Sequence, residues 1–176
     1  SPVMQGQSQQ RLRHPFKKQL DISLPNSPWL IDHSLLKQKP GWHCVEDMDP
    51  VIPMTMIFEL FGDIAREQAP ELRVQKIMGI KVFQWMNVVE PFRETLTGEW
   101  KSSDRVFLDL DKYAHAEVQL SETKGVPETN GYEIGESLGI TITPEQIYRE
   151  NMFHGPAYQG IREVKSVAKN GITGLI

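Results

Sequence analysis

The sequence is poor in cysteine: Cys44 is the 1 cysteine among 176 residues. A single thiol excludes an internal disulfide and cannot alone build a cysteine-rich metal site. Positive charge is also short. Lys and Arg number 19 against 23 Asp and Glu, a net charge of -4. No overall positive field invites nucleic acid or an anionic membrane. No stretch reaches the roughly 20 apolar residues of a membrane span. The opening SPVMQGQSQQRLRHP lacks the apolar run of a signal peptide. The expectation is a reducing, cytoplasmic compartment, and a chain that, starting at Ser, was cut from a longer one. Missing too are a GxSxG elbow, a glycine-rich loop after a strand, and an HExxH pair. What is present suffices for a core: 39% of residues are hydrophobic and 24% charged.

Residues 1–13 are polar and Gln-rich and read as a tail. Leu20, Ile22 and Leu24 alternate with polar residues, which predicts a short strand. Asn26, Ser27 and Pro28 read as a turn, after which Trp29, Leu30 and Ile31 re-enter the core. Residues 34–52 are irregular, with turn signals at Pro40-Gly41 and Pro50. They hold Trp42 and Cys44, so a packed functional loop is expected. The clearest helix is 53–68. Pro53 suits its first turn, and Met54, Ile57, Phe58, Phe61, Ile64 and Ala65 share one face. Gly62 inside it suggests close contact with a sheet.

Strand signals follow. Residues 73–89 are rich in β-branched and aromatic side chains, with a bend expected near Gly79. Residues 94–100 carry Leu96, and Gly98 suggests a bulge. Val106, Leu108 and Leu110 alternate, as do Ala114, Ala116, Val118 and Leu120, with Asp111-Lys112 between them. That is a hairpin pattern. One long helix followed by antiparallel strands predicts an α+β fold, a curved sheet wrapped on a central helix. Residues 121–144 carry many glycines and polar residues and read as a linker or surface excursion. A second unit begins at 145 and is incomplete at 176. The division expected is therefore tail 1–13, first unit 14–122, linker 123–144, and the start of a second unit at 145–176.

Five histidines are candidates for chemistry: 14, 33, 43, 115 and 154. None has metal-ligand spacing, and no metal is expected. His33 closes the apolar segment PWLIDH, ahead of the helix N-terminus. Free N–H groups there would polarise a carbonyl beside a base. The plainer alternative is a structural histidine bonded to Asp32 or to a backbone carbonyl. His43 is a rival base in the loop. His115 lies on the polar face of a strand and is expected to face solvent. Cys44 next to His43 does not make a nucleophile–base pair, because neighbours in sequence rarely face each other. Glu46, Asp47 and Asp49 lack the regular spacing of a cation loop. Core packing accounts for Trp29, Trp42, Trp85 and Trp100.

Two motifs shift the balance. PWLIDH at 28–33, followed by VIPMTMIFEL at 51–60, resembles the first half of the dehydratase domain of modular type I polyketide synthases. HGPAYQGI at 154–161 resembles the YGPxFQG segment that opens that domain's second half, and His14-Pro15-Phe16 is similar to its usual start. The resemblance covers about 14–167. It implies a double hotdog, of which this chain holds the first hotdog and the start of the second. It implies dehydration of a β-hydroxyacyl thioester to an α,β-enoyl thioester. The substrate would ride on the phosphopantetheine of an acyl carrier protein, and no other cofactor is implied. Carried onto this chain, the base is His33, and the carbonyl donor is the backbone N–H of Met54, since Pro53 has none. The second-half motif comprises His154, Gly155, Pro156, Tyr158, Gln159 and Gly160. The partners implied are the carrier protein and neighbouring synthase domains, and a homodimer is expected.

The sequence departs from the family pattern at four points. His33 and Pro53 stand 20 positions apart, where the family gap is short. Met54 replaces a common Gly. His154 replaces the Tyr of YGP. The family's DxxxQ aspartate, its proton donor, is not matched in 145–176 and is expected beyond 176. These departures keep a non-catalytic hotdog module for carrier docking or scaffolding open. A hotdog thioesterase or isomerase is the third option, with Glu59 and Asp63 as its candidate acids.

Overall fold

The computed structural model describes residues 13–36, 41, 44–123 and 133–176. The ordered elements are β1 (Phe16–Ile22), a 3-10 helix at Pro28–Asp32, α1 (Met54–Gln68), β2 (Arg73–Val82), β3 (Phe92–Trp100), β4 (Arg105–Leu110), β5 (Ala114–Ser121), α2 (Pro144–Glu150), a 3-10 turn at Pro156–Tyr158, β6 (Glu163–Ala168) and β7 (Gly171–Leu175). No helix among the described residues is long and apolar enough to cross a membrane.

The contacts form two compact units, both discontinuous in sequence. The first comprises the described residues of Ser1–Leu20, Met54–Gln84 and Arg93–Gly125. The second comprises those of Asp21–Pro53, Trp85–Phe92 and Val126–Ile176. The described residues of 21–53 and 85–92 thus group with those of 133–176, across the serial boundaries read from the sequence.

The first unit is a five-stranded sheet in the order β1-β3-β4-β5-β2, with α1 packed on β2 and β5. This is the expected hotdog layout, α+β with one long helix against the sheet. The β3–β4, β4–β5 and β5–β2 pairs are antiparallel. Period-two alternation explains the core. Val106, Leu108, Leu110, Ala114, Ala116 and Val118 are fully buried. From α1 they meet Ile57, Phe61, Ile64 and Ala65, also buried. Each large side chain so buried contributes about 1.5–3 kcal/mol.

Several expectations need revision. Met54 is 50% exposed, so the buried face of α1 is narrower than its spacing suggested. Gly62 does face the sheet, but a Cβ there would meet Val74 at an ordinary 3.5 Å. Gly98 marks no bulge: it pairs in register with Leu108. It is glycine because a Cβ would overlap the Phe16 ring. The bend near Gly79 is real, with φ at +59° and a register shift between Met78 and Lys81. The β4–β5 turn uses three residues, with Asp111 at φ +48°. β1 starts at Phe16 and ends at Ile22, earlier than the alternation implied. Trp29 and Trp85 are exposed, not core residues. Trp100 lies under the Arg13 guanidinium, 4.4 Å away. His115 is half-buried between Phe83 and Phe107, not solvent-facing.

Within the second unit, Leu30, Val51, Ile52, Met86 and Val88 are buried, while residues 133–176 depend more on hydrogen bonds. α2 begins with a reciprocal capping box, in which Thr143 and Gln146 each accept the other's backbone N–H. This satisfies two donors that a short helix leaves open. Residues 133–138, read as linker, are tied to the β6–β7 hairpin. Leu138 donates to the Val167 carbonyl, and Gly135 to the Asn170 side chain.

Candidate active site

His33 follows the 3-10 helix, whose Pro28 occupies its first turn. Its own N–H caps that helix through the Leu30 carbonyl at 3.0 Å. The segment opposite is 50–52. Val51 N–H donates to the His33 carbonyl at 3.1 Å, and the Val51 carbonyl lies 2.9 Å from His33 Nδ1. Residues 50–52 are themselves fixed by 86–88: Ile52 N–H donates to Met86 and Val88 N–H to Pro50. The imidazole is therefore held on two backbones, and it is 7% exposed.

This arrangement assigns the tautomer. A carbonyl only accepts, so Nδ1 carries the proton and donates to Val51. Nε2 then keeps its lone pair. Burial lowers the pKa of His33 below its ordinary 6.5. The Val51 carbonyl opposes that, and the nearby His154 adds to it. The net effect is an imidazole that is neutral at pH 7 and able to take a proton.

Three rings enclose His33. Phe153 meets it edge-on at 5.1 Å, and His154 and Tyr158 lie at 5.4 Å. His154 and Tyr158 belong to the HGPAYQG motif and Phe153 directly precedes it, and Asp32 is what binds that motif to PWLIDH. The Asp32 carbonyl accepts Gly155 N–H at 2.7 Å, and its carboxylate accepts Ala157 N–H at 2.8 Å, 125 positions away. A Cβ at Gly155 would run into that carboxylate, so the motif's glycine has a steric reason. Tyr158 is raised to about 12 by burial and by the Asp32 charge, so it stays a neutral phenol. Tyr148 of α2 accepts Ile161 N–H at 2.8 Å and fixes the far end of the motif. Beside these groups is a cavity of about 300 Å³, with Ile31, Asp32, Leu36, Met152, Phe153 and His154 in its wall.

The fate of the candidates is mixed. His33, His154, Gly155, Pro156 and Tyr158 converge within the second unit. Gln159 donates from its side chain to the His154 carbonyl, and Gly160 has open space around it. Met54 belongs to the first unit, where it is the first residue of α1. Its N–H therefore has no acceptor within the helix. His43 and Trp42 lie outside the described residues. Cys44 is exposed, and hydrogen bonding to Glu46 raises its thiol pKa, the reverse of an activated nucleophile. Glu59 and Asp63 are exposed on α1, and Asp63 pairs with Arg66. Asp32 proves to be a partner of Ala157, not of His33. The sequence reading missed Val51 and Phe153. Val51 acts through a backbone carbonyl, which no residue type reveals. Phe153, next to His154, carries an aromatic signal that was open to reading.

Compared as a sequence, the chain matches no protein-family model and no curated protein. Compared as a structure, it matches solved dehydratase domains. One is from the CurK module of curacin polyketide synthase, with TM-score 0.60, 11% identity, and 89% of this chain and 57% of that one covered. The chain has the polyketide synthase dehydratase fold. The dehydratase domain from the CurF module gives TM-score 0.59 and 14% identity over 88% of this chain and 57% of that one. A mycocerosic acid synthase-like polyketide synthase dehydratase domain gives 0.59 and 13%, with 88% and 53% covered. At such identities the likeness is one of fold. The chain spans a little over half the length of these dehydratase structures.

Proposed function

We propose that this chain supplies the basic half of a dehydratase acting on β-hydroxyacyl thioesters. In this reading His33 Nε2 removes the α-proton. The electrons form the α,β double bond as the β-hydroxyl leaves. An aspartate of the kind the dehydratase family carries in its second hotdog helix gives that hydroxyl its proton, so water departs. In this reading the backbone N–H of Met54, the first residue of α1, polarises the thioester carbonyl. That polarisation is needed because the α-proton of a thioester is only weakly acidic. The substrate arrives on the phosphopantetheine arm of an acyl carrier protein, and the reaction uses no other cofactor. Neighbouring synthase domains and a second copy of the chain are the remaining partners.

The observation that carries the reading is the state of His33: buried, with Nδ1–H fixed on the Val51 carbonyl and Nε2 left as a lone pair. The test is mass-spectrometric, on a carrier-bound β-hydroxyacyl thioester in heavy water, with the protein that carries this chain. Loss of water and uptake of deuterium at the α-carbon are expected. The second readout follows the base alone, without the acid. His33→Gln should keep the fold and slow both by about 10²–10⁴-fold, the usual worth of a general base. Equal rates in the variant, or neither process in the wild type, would overturn the reading.

A further inference from the structure

Among the described residues, His33 is one of two imidazoles in its enclosure, and the proposed reaction uses only that one. The second, His154, is placed with equal definition. Its ring stacks on Phe153 at 4.5 Å and 15°. Its Nδ1 is buried with no hydrogen-bond partner. It also stands in the wall of the cavity beside the site. The two imidazole centroids are 5.4 Å apart.

Among the described residues, the ionisable groups of the cavity wall and the ring cluster have partners or stay neutral. The Asp32 carboxylate of the 3-10 helix bonds Ala157 N–H. Tyr158 stays a neutral phenol. Arg149 of α2 shares the cavity wall and pairs with Glu150. Tyr148 accepts Ile161 N–H. Two cationic imidazoles at this separation would repel, and burial weakens the screening water provides. A positive charge on His154 would therefore oppose a proton on His33.

We propose that His154, its ring 5.4 Å from that of His33, helps to hold His33 in its proton-accepting form. His154 is then a positioning residue for the ionisation of its neighbour, not a group that reacts. The inference rests on His33 as the base of the proposed dehydration, and it explains how that base stays available as the surroundings acidify. The lowered pKa of His33, caused first by burial and then by His154, agrees with this geometry.

The experiment is an NMR titration of the imidazole resonances of this chain. In His154→Phe, which keeps a flat ring on Phe153 but no charge, the His33 midpoint should rise by about half a pH unit to one pH unit. His154→Gln should move it the same way, which guards against a packing artefact of the new ring. In turnover, the acid limb of kcat/KM should shift to higher pH with the His33 midpoint. A His33 midpoint unmoved in both His154 variants overturns the proposal. A wild type that fails to release water would sink the dehydratase reading and leave the titration result standing, so the two failures are distinguishable.

Discussion

In the first unit, β4 and β5 hide every second side chain, from Val106 to Leu120, behind an apolar helix face. In the second, residues 133–176 bury 2 hydrophobic side chains, Ile147 and Ala168. Their order comes from directed bonds: the Thr143 cap, the Tyr148 hydroxyl, and the Asp32 carboxylate on Ala157. Packing is non-directional and tolerates small shifts at each contact. A hydrogen bond fixes an atom to within tenths of an ångström and loses its worth when misaligned. The candidate chemistry draws on both methods: His33 sits beside the buried Leu30 and Val51, and the bonded motif at 154–158 sets its rings against it. That is reasonable for a site whose ring orientations must be defined.

The same substitution, glycine to alanine, separates the two regimes at three positions. Gly155→Ala should have the largest effect. Its backbone is ordinary, with φ at -77°, so the strain is purely a matter of space. The new Cβ would displace the Asp32 carboxylate and break its bond to Ala157. Losing a hydrogen bond to a charged group and overpacking the site costs about 3 kcal/mol locally. Hydrogen exchange should show amides 155–159 opening early, while β4 and β5 stay protected. Unchanged exchange at those amides would show that Asp32 is not what holds the motif. Gly98→Ala should cost less, about 1–3 kcal/mol, because the Phe16 ring it meets lies at the end of a side chain that can swing away. Pairing it with Phe16→Ala should give a total well short of the sum, since the two changes remove one contact. Additive losses would refute that explanation for the glycine.

Acid sharpens the comparison from the other side. The folded His33 titrates below 6.5 because it is buried. As pH falls, the unfolded chain takes its proton first, near 6.5, and unfolding gains. The contribution of neutral His33 is therefore complete above 6.5 and is lost as pH falls toward the folded midpoint. One group changes stability by at most about 1.4 kcal/mol per pH unit. Urea melts between about pH 7.5 and about pH 5.5 should show the wild type losing more stability than His33→Gln. Equal losses would mean that His33 is solvated in the folded state.

The two regions also differ in how much of them the sequence discloses. The β4–β5 pair could be written down from alternation, because burial acts on every second side chain and repeats. The bend near Gly79 was legible because positive φ leaves few residue choices. The site was not legible in that way. Its decisive contacts are single events: the Val51 carbonyl on His33, the Asp32 carboxylate on a backbone N–H 125 positions on. A backbone acceptor leaves no mark in composition, and one long-range bond has no period. The two motifs could be named only through family resemblance, and how they bind to each other needed coordinates. α2 was missed for a different reason. Thr143 and Gln146 spell a capping box with Pro144 in the first turn, but the glycine-rich stretch before them masked the signal.

Gly62→Ala is the smallest predicted effect and opposite in sign. The sequence suggested that this glycine lets α1 approach the sheet. The geometry places Val74 at 3.5 Å and Ile77 at 3.9 Å from the missing Cβ, which is ordinary contact. Nothing there must move, and α1 runs without interruption through the position. Glycine costs about 0.5–1 kcal/mol against alanine in a helix interior. Alanine should therefore raise stability by about that much and add a methyl to the α1–β2 contact. A higher urea midpoint with an unchanged slope would confirm it. A lower one would mean that the sheet sits closer to α1 than 3.5 Å allows, and that packing in the first unit is as exacting as bonding in the second.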